Sequence, residues 1–323
     1  MKKTLAVIAG EPNSISSEII FKCWRLKRKF NHHNFFVIGN INILNKQKKK
    51  LKYNIPIKKI NFKFDVRDLN KNYLPVFNIK YQQKRAFEKI SNKSSKYILE
   101  SFNAAINFIK KNKIQGLINC PISKEFLLGN KYAGITEFLS KKLGASGKEV
   151  MLIFNKKLSV SPLTTHIPLN KVSGQISKKK LVKKVKTIDN FYKKKLKKKP
   201  TIGVLGFNPH NYSNSKKSEE RQFIIPAIKT LKKRGLKIVG PISPDSSFVV
   251  YRKHKLNVII GMYHDQVLTA YKCLFGYNSV NVTLGLPFFR VSPDHGVAED
   301  IMGKNIANPV SLIESLKFFN YFK

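Results

Sequence analysis

Three histidines stand in contexts that suit chemistry. His166 lies in Thr164-Thr165-His166-Ile167-Pro168-Leu169, His210 in Gly206-Phe207-Asn208-Pro209-His210, and His264 in Gly261-Met262-Tyr263-His264-Asp265-Gln266. Each follows an apolar run that reads as a strand. Loops at the carboxyl ends of strands carry the sites of open α/β sheets. Neutral imidazole is the commonest ligand of a catalytic divalent metal, and three of them leave a coordination position open for substrate. The three are far apart in sequence and show no local metal signature, so spacing alone favours three satisfied loop histidines. His32, His33 and His254 sit in basic, loop-like stretches that suggest no chemistry.

Two further segments could meet an anion. Residues 272–296 hold Lys272, Asn281, Thr283, Arg290, Asp294 and His295 around the apolar turn Leu284-Gly285-Leu286-Pro287-Phe288-Phe289. A lysine, an amide and an arginine together suit carboxylate and phosphate groups; the plainer alternative is a surface hairpin with incidental charges. The stretch from Gly10 to Glu18 follows an apolar run and opens a helix, so it could offer backbone N–H groups to an anion or be an ordinary serine-capped turn. Neither G-x-x-x-x-G-K-[ST] nor a G-x-G-x-x-G after a strand occurs.

The elements that must position these residues read as α/β. Residues 4–9 and 35–39 are buried-strand patterns, and Ile19, Ile20, Cys23 and Leu26 give 16–30 a helical spacing between them. Strand–helix–strand is the opening of a parallel sheet. The spacing predicts a long helix over about 84–112, with Phe87, Ile90, Ile98, Phe102, Ala105, Ile106 and Ile109 on one face. It predicts strands at 117–121, 150–154, 201–206, 236–239 and 257–261, and helices at 177–195, 219–234 and 309–320. The helix at 177–195 is crowded with lysines but keeps an apolar stripe through Leu181, Val182, Val185, Ile188 and Phe191, so it reads as a solvated face. Residues 46–82 are basic and resist assignment.

Composition narrows the function. The 323 residues suit two domains, and 42% hydrophobic content excludes wholesale disorder. No apolar run approaches the roughly 18 residues of a membrane span. Arginine and lysine number 62 against 18 acids, a net charge of +44. Such a charge suggests nucleic acid. Only eight of the 62 are arginine, though, and base and phosphate recognition favours the arginine fork. A solvated basic surface that draws in anionic small molecules is the better reading. Three scattered cysteines, Cys23, Cys120 and Cys273, imply no disulfide framework and point to a reducing cytoplasm.

Longer words then carry a resemblance. In order come Cys120-Pro121-Ile122-Ser123-Lys124-Glu125, Gly134-Ile135-Thr136-Glu137-Phe138-Leu139, Thr165-His166-Ile167-Pro168-Leu169, Asn208-Pro209-His210, Gly240-Pro241 with Pro244-Asp245, and Met262-Tyr263-His264-Asp265-Gln266. Val280 to Arg290 then leads to Asp294-His295-Gly296. From about residue 4 to 318 the chain resembles the 4-hydroxythreonine-4-phosphate dehydrogenase family of vitamin B6 synthesis. The resemblance implies a two-lobed α/β fold similar to isocitrate and isopropylmalate dehydrogenases, with an active-site cleft between the lobes. Residues 1–135 with 285–323 would form one lobe, and 136–284 the other, carrying the metal ligands and the dimer contact. It implies a cytoplasmic homodimer that uses NAD or NADP. One divalent ion (zinc, magnesium or cobalt) would be held by His166, His210 and His264. The small phosphorylated substrate would be contacted by Thr136, Lys272, Asn281 and Arg290. Asp245 and Asp265 would orient metal ligands or shuttle a proton.

The implied reaction is oxidation and decarboxylation of 4-phosphooxy-L-threonine to 3-amino-2-oxopropyl phosphate. A sister dehydrogenase of 4-phosphothreonate or 4-phosphoerythronate is the alternative, and a lysine-rich nucleic-acid-binding protein the distant one. The chain departs from the family pattern in places. Glu11 stands for the usual Asp; Asn13, Ser14, Ser16 and Ser17 replace small residues, glycines and proline; residues 211–217 replace a glycine-rich acidic loop. Ile135 stands where the family usually has a substrate-contacting histidine. Isoleucine cannot donate a hydrogen bond, so that contact is missing or supplied by another group, for which Lys124 and Lys141 are cations nearby in sequence, and Ile135→His is expected to lower KM.

Overall fold

The computed structural model describes residues 3–30, 33–70, 72–123, 125, 135–142, 144–212 and 215–322. The chain forms two compact units. One comprises Met1–Leu143, Tyr277–Val280 and Leu286–Lys323; the other comprises Gly144–Gly276 and Asn281–Gly285. The first passage between them therefore falls after Leu143 rather than after residue 135, which places Thr136 and its helix in the first unit.

The first unit is built on β1 (Thr4–Ile8), β2 (Asn34–Gly39), β3 (Ile57–Ile60), β4 (Leu74–Asn78), β5 (Gly116–Asn119) and β12 (Phe289–Pro293). Their order is β3-β4-β2-β1-β5-β12 and every pairing is parallel. Such a sheet is covered on both faces, which is why β1 (Thr-Leu-Ala-Val-Ile) is buried at every residue. The helices are α1 (Ser16–Phe30), α2 (Ile41–Lys50), α3 (Ser95–Lys110), α4 (Ile135–Lys142) and, near the end of the chain, α8 (Val310–Lys317). Helix α3 buries Ile98, Phe102, Ala105 and Ile106 on one stripe, against a core that includes Phe36, Ile38 and Leu117.

Helix α3 starts at Ser95, not near residue 84. Residues 84–90 satisfy their backbone with side chains instead of helix bonds. The Glu88 carboxylate accepts from the Lys84 and Arg85 amides, the Glu88 amide donates to Asn13, and Gln47 donates to the Ala86 carbonyl. Phe87 and Ile90 keep helical spacing without a helix.

The second unit holds β6 (Val150–Phe154), β7 (Ser159–Pro162), β8 (Thr201–Leu205), β9 (Lys237–Ile242), β10 (Val258–Gly261) and β11 (Val280–Leu284, all but its first residue). The order is β11-β6-β7-β10-β8-β9. Strands β7, β10, β8 and β9 are parallel, and β6 pairs with β7 antiparallel. Strand β7 escapes sequence reading because Ser-Val-Ser-Pro looks polar. Both serines are buried and satisfied: Ser159 Oγ meets the Tyr192 hydroxyl at 2.9 Å, and Ser161 Oγ donates to the Met151 carbonyl at 2.6 Å. The longer helices of this unit among the described residues are α5 (Lys178–Lys195), α6 (Ile225–Lys233) and α7 (His264–Phe275). A π-helical turn, Glu220–Ile224, precedes α6. Among the described residues no helix is long and apolar enough to cross a membrane.

Helix α5 is capped by the Ser177 hydroxyl, which accepts from the Lys180 amide, and it buries Leu181, Val185 and Ile188. Lys184 lies on the same buried face and donates to the Pro162 carbonyl at the end of β7. Burial lowers its pKa from 10.5 to about 8. The folded chain thus releases this proton before the unfolded chain does. The associated cost is largest below pH 8 and is relieved as pH rises from about 8 to 10.5. Lys184→Met is expected to remove that dependence. In urea melts, the stability of wild type relative to the variant should rise by ~3 kcal/mol at most between pH 7 and 10.5, at about 1.4 kcal/mol per pKa unit. A constant difference would show that Lys184 is solvated.

Candidate functional site

The three histidines follow three neighbouring strands. Strand β10 lies between β7 and β8, parallel to both. His166 comes four residues after β7, His210 five after β8, and His264 three after β10. All three therefore leave the same edge of one sheet, where strand carboxyl ends meet solvent.

His166 and His264 approach each other, with ring centroids 5.8 Å apart. His264 Nδ1 lies 2.6 Å from Asp265 Oδ1. A proton on Nδ1 then donates to the carboxylate and leaves the Nε2 lone pair for a metal, the pattern in which a carboxylate orients a ligating imidazole. His210 has a looser counterpart: its Nδ1 is 3.9 Å from Asp245 Oδ2. The hydroxyl of Ser243 and the amide of Ser246 both donate to Asp245; together with the nearby His210 imidazole they hold its carboxyl below the usual range. His210 itself sits in the left-handed region at φ 52, ψ 26, a conformation that only a specified loop imposes on a residue with a side chain. Two imidazoles of one chain thus fit a metal. Among the described residues no group of three or more His, Cys, Asp or Glu side chains gathers to hold one.

Lys272 and Asn281 also belong to the second unit. Lys272 is half-buried in the last turn of α7, next to the fully buried Tyr271. Asn281, on β11, has a buried carboxamide oxygen that meets no hydrogen-bond donor among the described residues. A buried acceptor of this kind is costly unless a ligand completes it.

In the first unit the structure joins Thr136 to Arg290. Arg290 is 5% exposed, on β12; its Nε donates to Asn119 Oδ1 at 2.7 Å and its Nη1 to Thr136 Oγ1 at 3.4 Å. Both of these contacts are with neutral groups, and they fix the guanidinium plane. Asn119 was not singled out in the sequence. Its one signal is position, as the polar last residue of β5. Within the segment 272–296, β12 belongs to the first unit and β11, all but its first residue, to the second.

The Ile135 side chain is 4% exposed and belongs to an apolar cluster with Ile98, Phe102, Phe138 and Leu139, which favours a packing role over a substrate-facing one. Lys141 is exposed, and Lys124 lies outside the described residues. Ile135→His would bury an imidazole among aliphatic and aromatic groups. We expect it to lower the unfolding midpoint, as should Ile135→Ala, which typically costs about 2–5 kcal/mol at such a site. A histidine variant with unchanged stability and a lower KM would restore the substrate-facing reading.

The Gly10–Glu18 stretch is not a free anion cradle. The Glu11 amide donates to Pro121, the Asn13 amide to Glu11 Oε1, the Ile15 amide to Val297 and the Ser16 amide to Ser14 Oγ. Glu11 is buried, which raises its pKa; hydrogen bonds from Ser94 and the Asn13 amide oppose that rise. Two of these amides are taken by the stretch's own carboxylate and hydroxyl and two by the carbonyls of Pro121 and Val297.

The chain is similar to known proteins over nearly its whole length. A family model described as pyridoxal phosphate biosynthetic protein PdxA matches residues 31–319. A protein named 4-hydroxythreonine-4-phosphate dehydrogenase from Sulfurihydrogenibium sp. (strain YO3AOP1) is 38% identical, over 97% of this chain and 96% of its own. One of the same name from Aquifex aeolicus (strain VF5) is 35% identical over 98% and 97%. The crystal structure of 4-hydroxythreonine-4-phosphate dehydrogenase from Klebsiella pneumoniae superposes with a TM-score of 0.84 and 25% identity, over 99% of both chains. A β-decarboxylating dehydrogenase from Thermococcus kodakarensis shares the fold alone, at a TM-score of 0.51 and 15% identity over 99% of this chain and 83% of its own.

Proposed function

The chain belongs to the PdxA family of pyridoxal phosphate biosynthetic proteins, and from that premise we propose that it oxidises and decarboxylates 4-phosphooxy-L-threonine to 3-amino-2-oxopropyl phosphate. The observation that carries the chemistry is the placement of His166, His210 and His264 at the carboxyl ends of three adjacent parallel strands. The substrate hydroxyl loses its proton and its carbon loses hydride; the β-keto acid so formed then releases carbon dioxide. NAD or NADP supplies the hydride acceptor. A divalent metal held by the three histidines supplies a Lewis acid toward the substrate oxygen.

The remaining roles belong to the chain. Asp265 holds the His264 tautomer, and Asp245 stands beside His210 in the same sense. Arg290, held by Asn119 and Thr136, neutralises one anionic group of the substrate, and Lys272 a second. Asn281 offers its carboxamide oxygen to a donor on the ligand. The excess of lysine raises the local concentration of a phosphate ester.

The working form in this reading is a cytoplasmic homodimer. Ile167, Leu169, Tyr212 and Val249 are exposed apolar side chains that follow His166, His210 and Asp245 closely in sequence. Apolar groups grouped along site loops support a covering partner, and a second copy is the one the family implies. All three cysteines are free thiols, as a reducing compartment allows. Incubating the purified protein with NAD, a divalent metal and either 4-phosphooxy-L-threonine or 4-phosphothreonate, and following NADH absorbance, tests the substrate. Faster turnover of the amino acid is expected; turnover of the sugar acid alone would overturn the assignment.

A further inference from the structure

We propose that Gln266 is a positioning residue that sets the separation of the His210 and His264 loops; the proposal rests on the metal reading above. Its carboxamide has two ends on two loops. Oε1 accepts from the Met262 amide at 2.6 Å, and Nε2 donates to the Gly206 carbonyl at 2.9 Å. The orientation is unambiguous, since one partner is an N–H and the other a C=O. Met262 is two residues before His264, and Gly206 opens the loop that reaches His210.

The clamp stands where the sheet stops. Strands β8 and β10 pair from Ile202 with Val258 to Val204 with Ile260. Beyond that register their backbones part to form the two loops, and the Gln266 side chain replaces the lost ladder bonds. Space around it is tight. A Cβ on Gly261 would lie 2.8 Å from Gln266 Oε1, and one on Gly206 would lie 2.1 Å from Asn211 Oδ1. A side chain at either position would have to displace these neighbouring side chains.

Each loop is stiff on its own side, so a clamp between them can transmit a defined spacing. The fully buried Glu220 carboxylate accepts from the Phe207 and Asn208 amides at 2.8 Å each and from the Asn208 carboxamide at 2.9 Å. Across the other strand, the Thr164 amide and hydroxyl both donate to the Met262 carbonyl, at 3.1 and 2.8 Å. The Met262 residue is thus a hub. Its carbonyl ties the His166 loop, and its amide, through Gln266, ties the His210 loop.

Two variants test this in the full-length protein. Gln266→Met keeps the volume and loses both bonds. Gln266→Glu keeps the acceptor for Met262 and loses the donor to Gly206. Cobalt(II) titration without substrate is the readout, followed by the visible spectrum of the bound ion. Both variants are expected to weaken cobalt binding by about 10–100-fold, the usual effect of losing an outer-shell support, and to change the spectrum. Ile188→Val, a core change on α5 away from these loops, controls for general loosening and should leave both unchanged. Wild-type affinity and spectrum in the two Gln266 variants would overturn the positioning role while the metal reading stands. Failure of the wild type itself to bind any divalent ion would overturn both.

Discussion

His210→Asn should lose at least about 10²–10³-fold in kcat/KM, with an unfolding midpoint close to wild type. The expected size follows from several kcal/mol of Lewis-acid stabilisation at one decade per 1.36 kcal/mol. Stability should hold because the His210 side chain is 85% exposed. Asparagine is preferred to alanine because the backbone at 210 is left-handed, a conformation that asparagine tolerates. Metal content after dialysis should fall together with activity. Full activity in a variant stripped of metal would remove His210 from the site.

Arg290→Met should raise KM steeply and change kcat much less. Arg290 is buried and held in plane by Asn119 and Thr136. A lost charge-assisted hydrogen bond costs about 1.5–3 kcal/mol, or roughly 10- to 150-fold in affinity. The variant also strands the Asn119 carboxamide oxygen, so a loss of about 1–3 kcal/mol in stability should accompany it. Arg290→Lys should not rescue binding, because an ammonium cannot contact Asn119 and Thr136 while presenting a fork to the ligand. A rise in KM separates a binding role from a structural one; a variant that is less stable but has an unchanged KM would mark Arg290 as a core residue only.

The sequence made some of this legible and hid the rest for physical reasons. Strand β1 announces itself because both faces of a parallel sheet are covered, so its residues are apolar without alternation. The loops of His210 and His264 were readable because each directly follows such a run, whereas the His166 loop follows β7, which does not read as one. Their adjacency was not, since the order β7-β10-β8 is a property of topology and β7 hides its burial behind hydrogen-bonded serines. The partners Asn119, Glu220 and Gln266 were invisible for a related reason: a single polar residue gains its role only from the backbone groups that folding brings to it. Residues 84–90 show the converse error, in which apolar spacing implied a helix that bonds to the side chains of Asn13, Gln47 and Glu88 replace. Ile135 misled through alignment with a family histidine. Its neighbours, known only in three dimensions, are Ile98, Phe102 and Leu139.

Metal-free protein, prepared by chelation and dialysis, tests the central claim most directly. It would be mixed with NAD and 4-phosphooxy-L-threonine, and NADH and carbon dioxide measured before and after adding back one divalent ion per chain. Neither product is expected before addition and both, in equal amounts, after it. Equal formation of NADH and carbon dioxide by the metal-free protein, at the rate of the restored one, would contradict it.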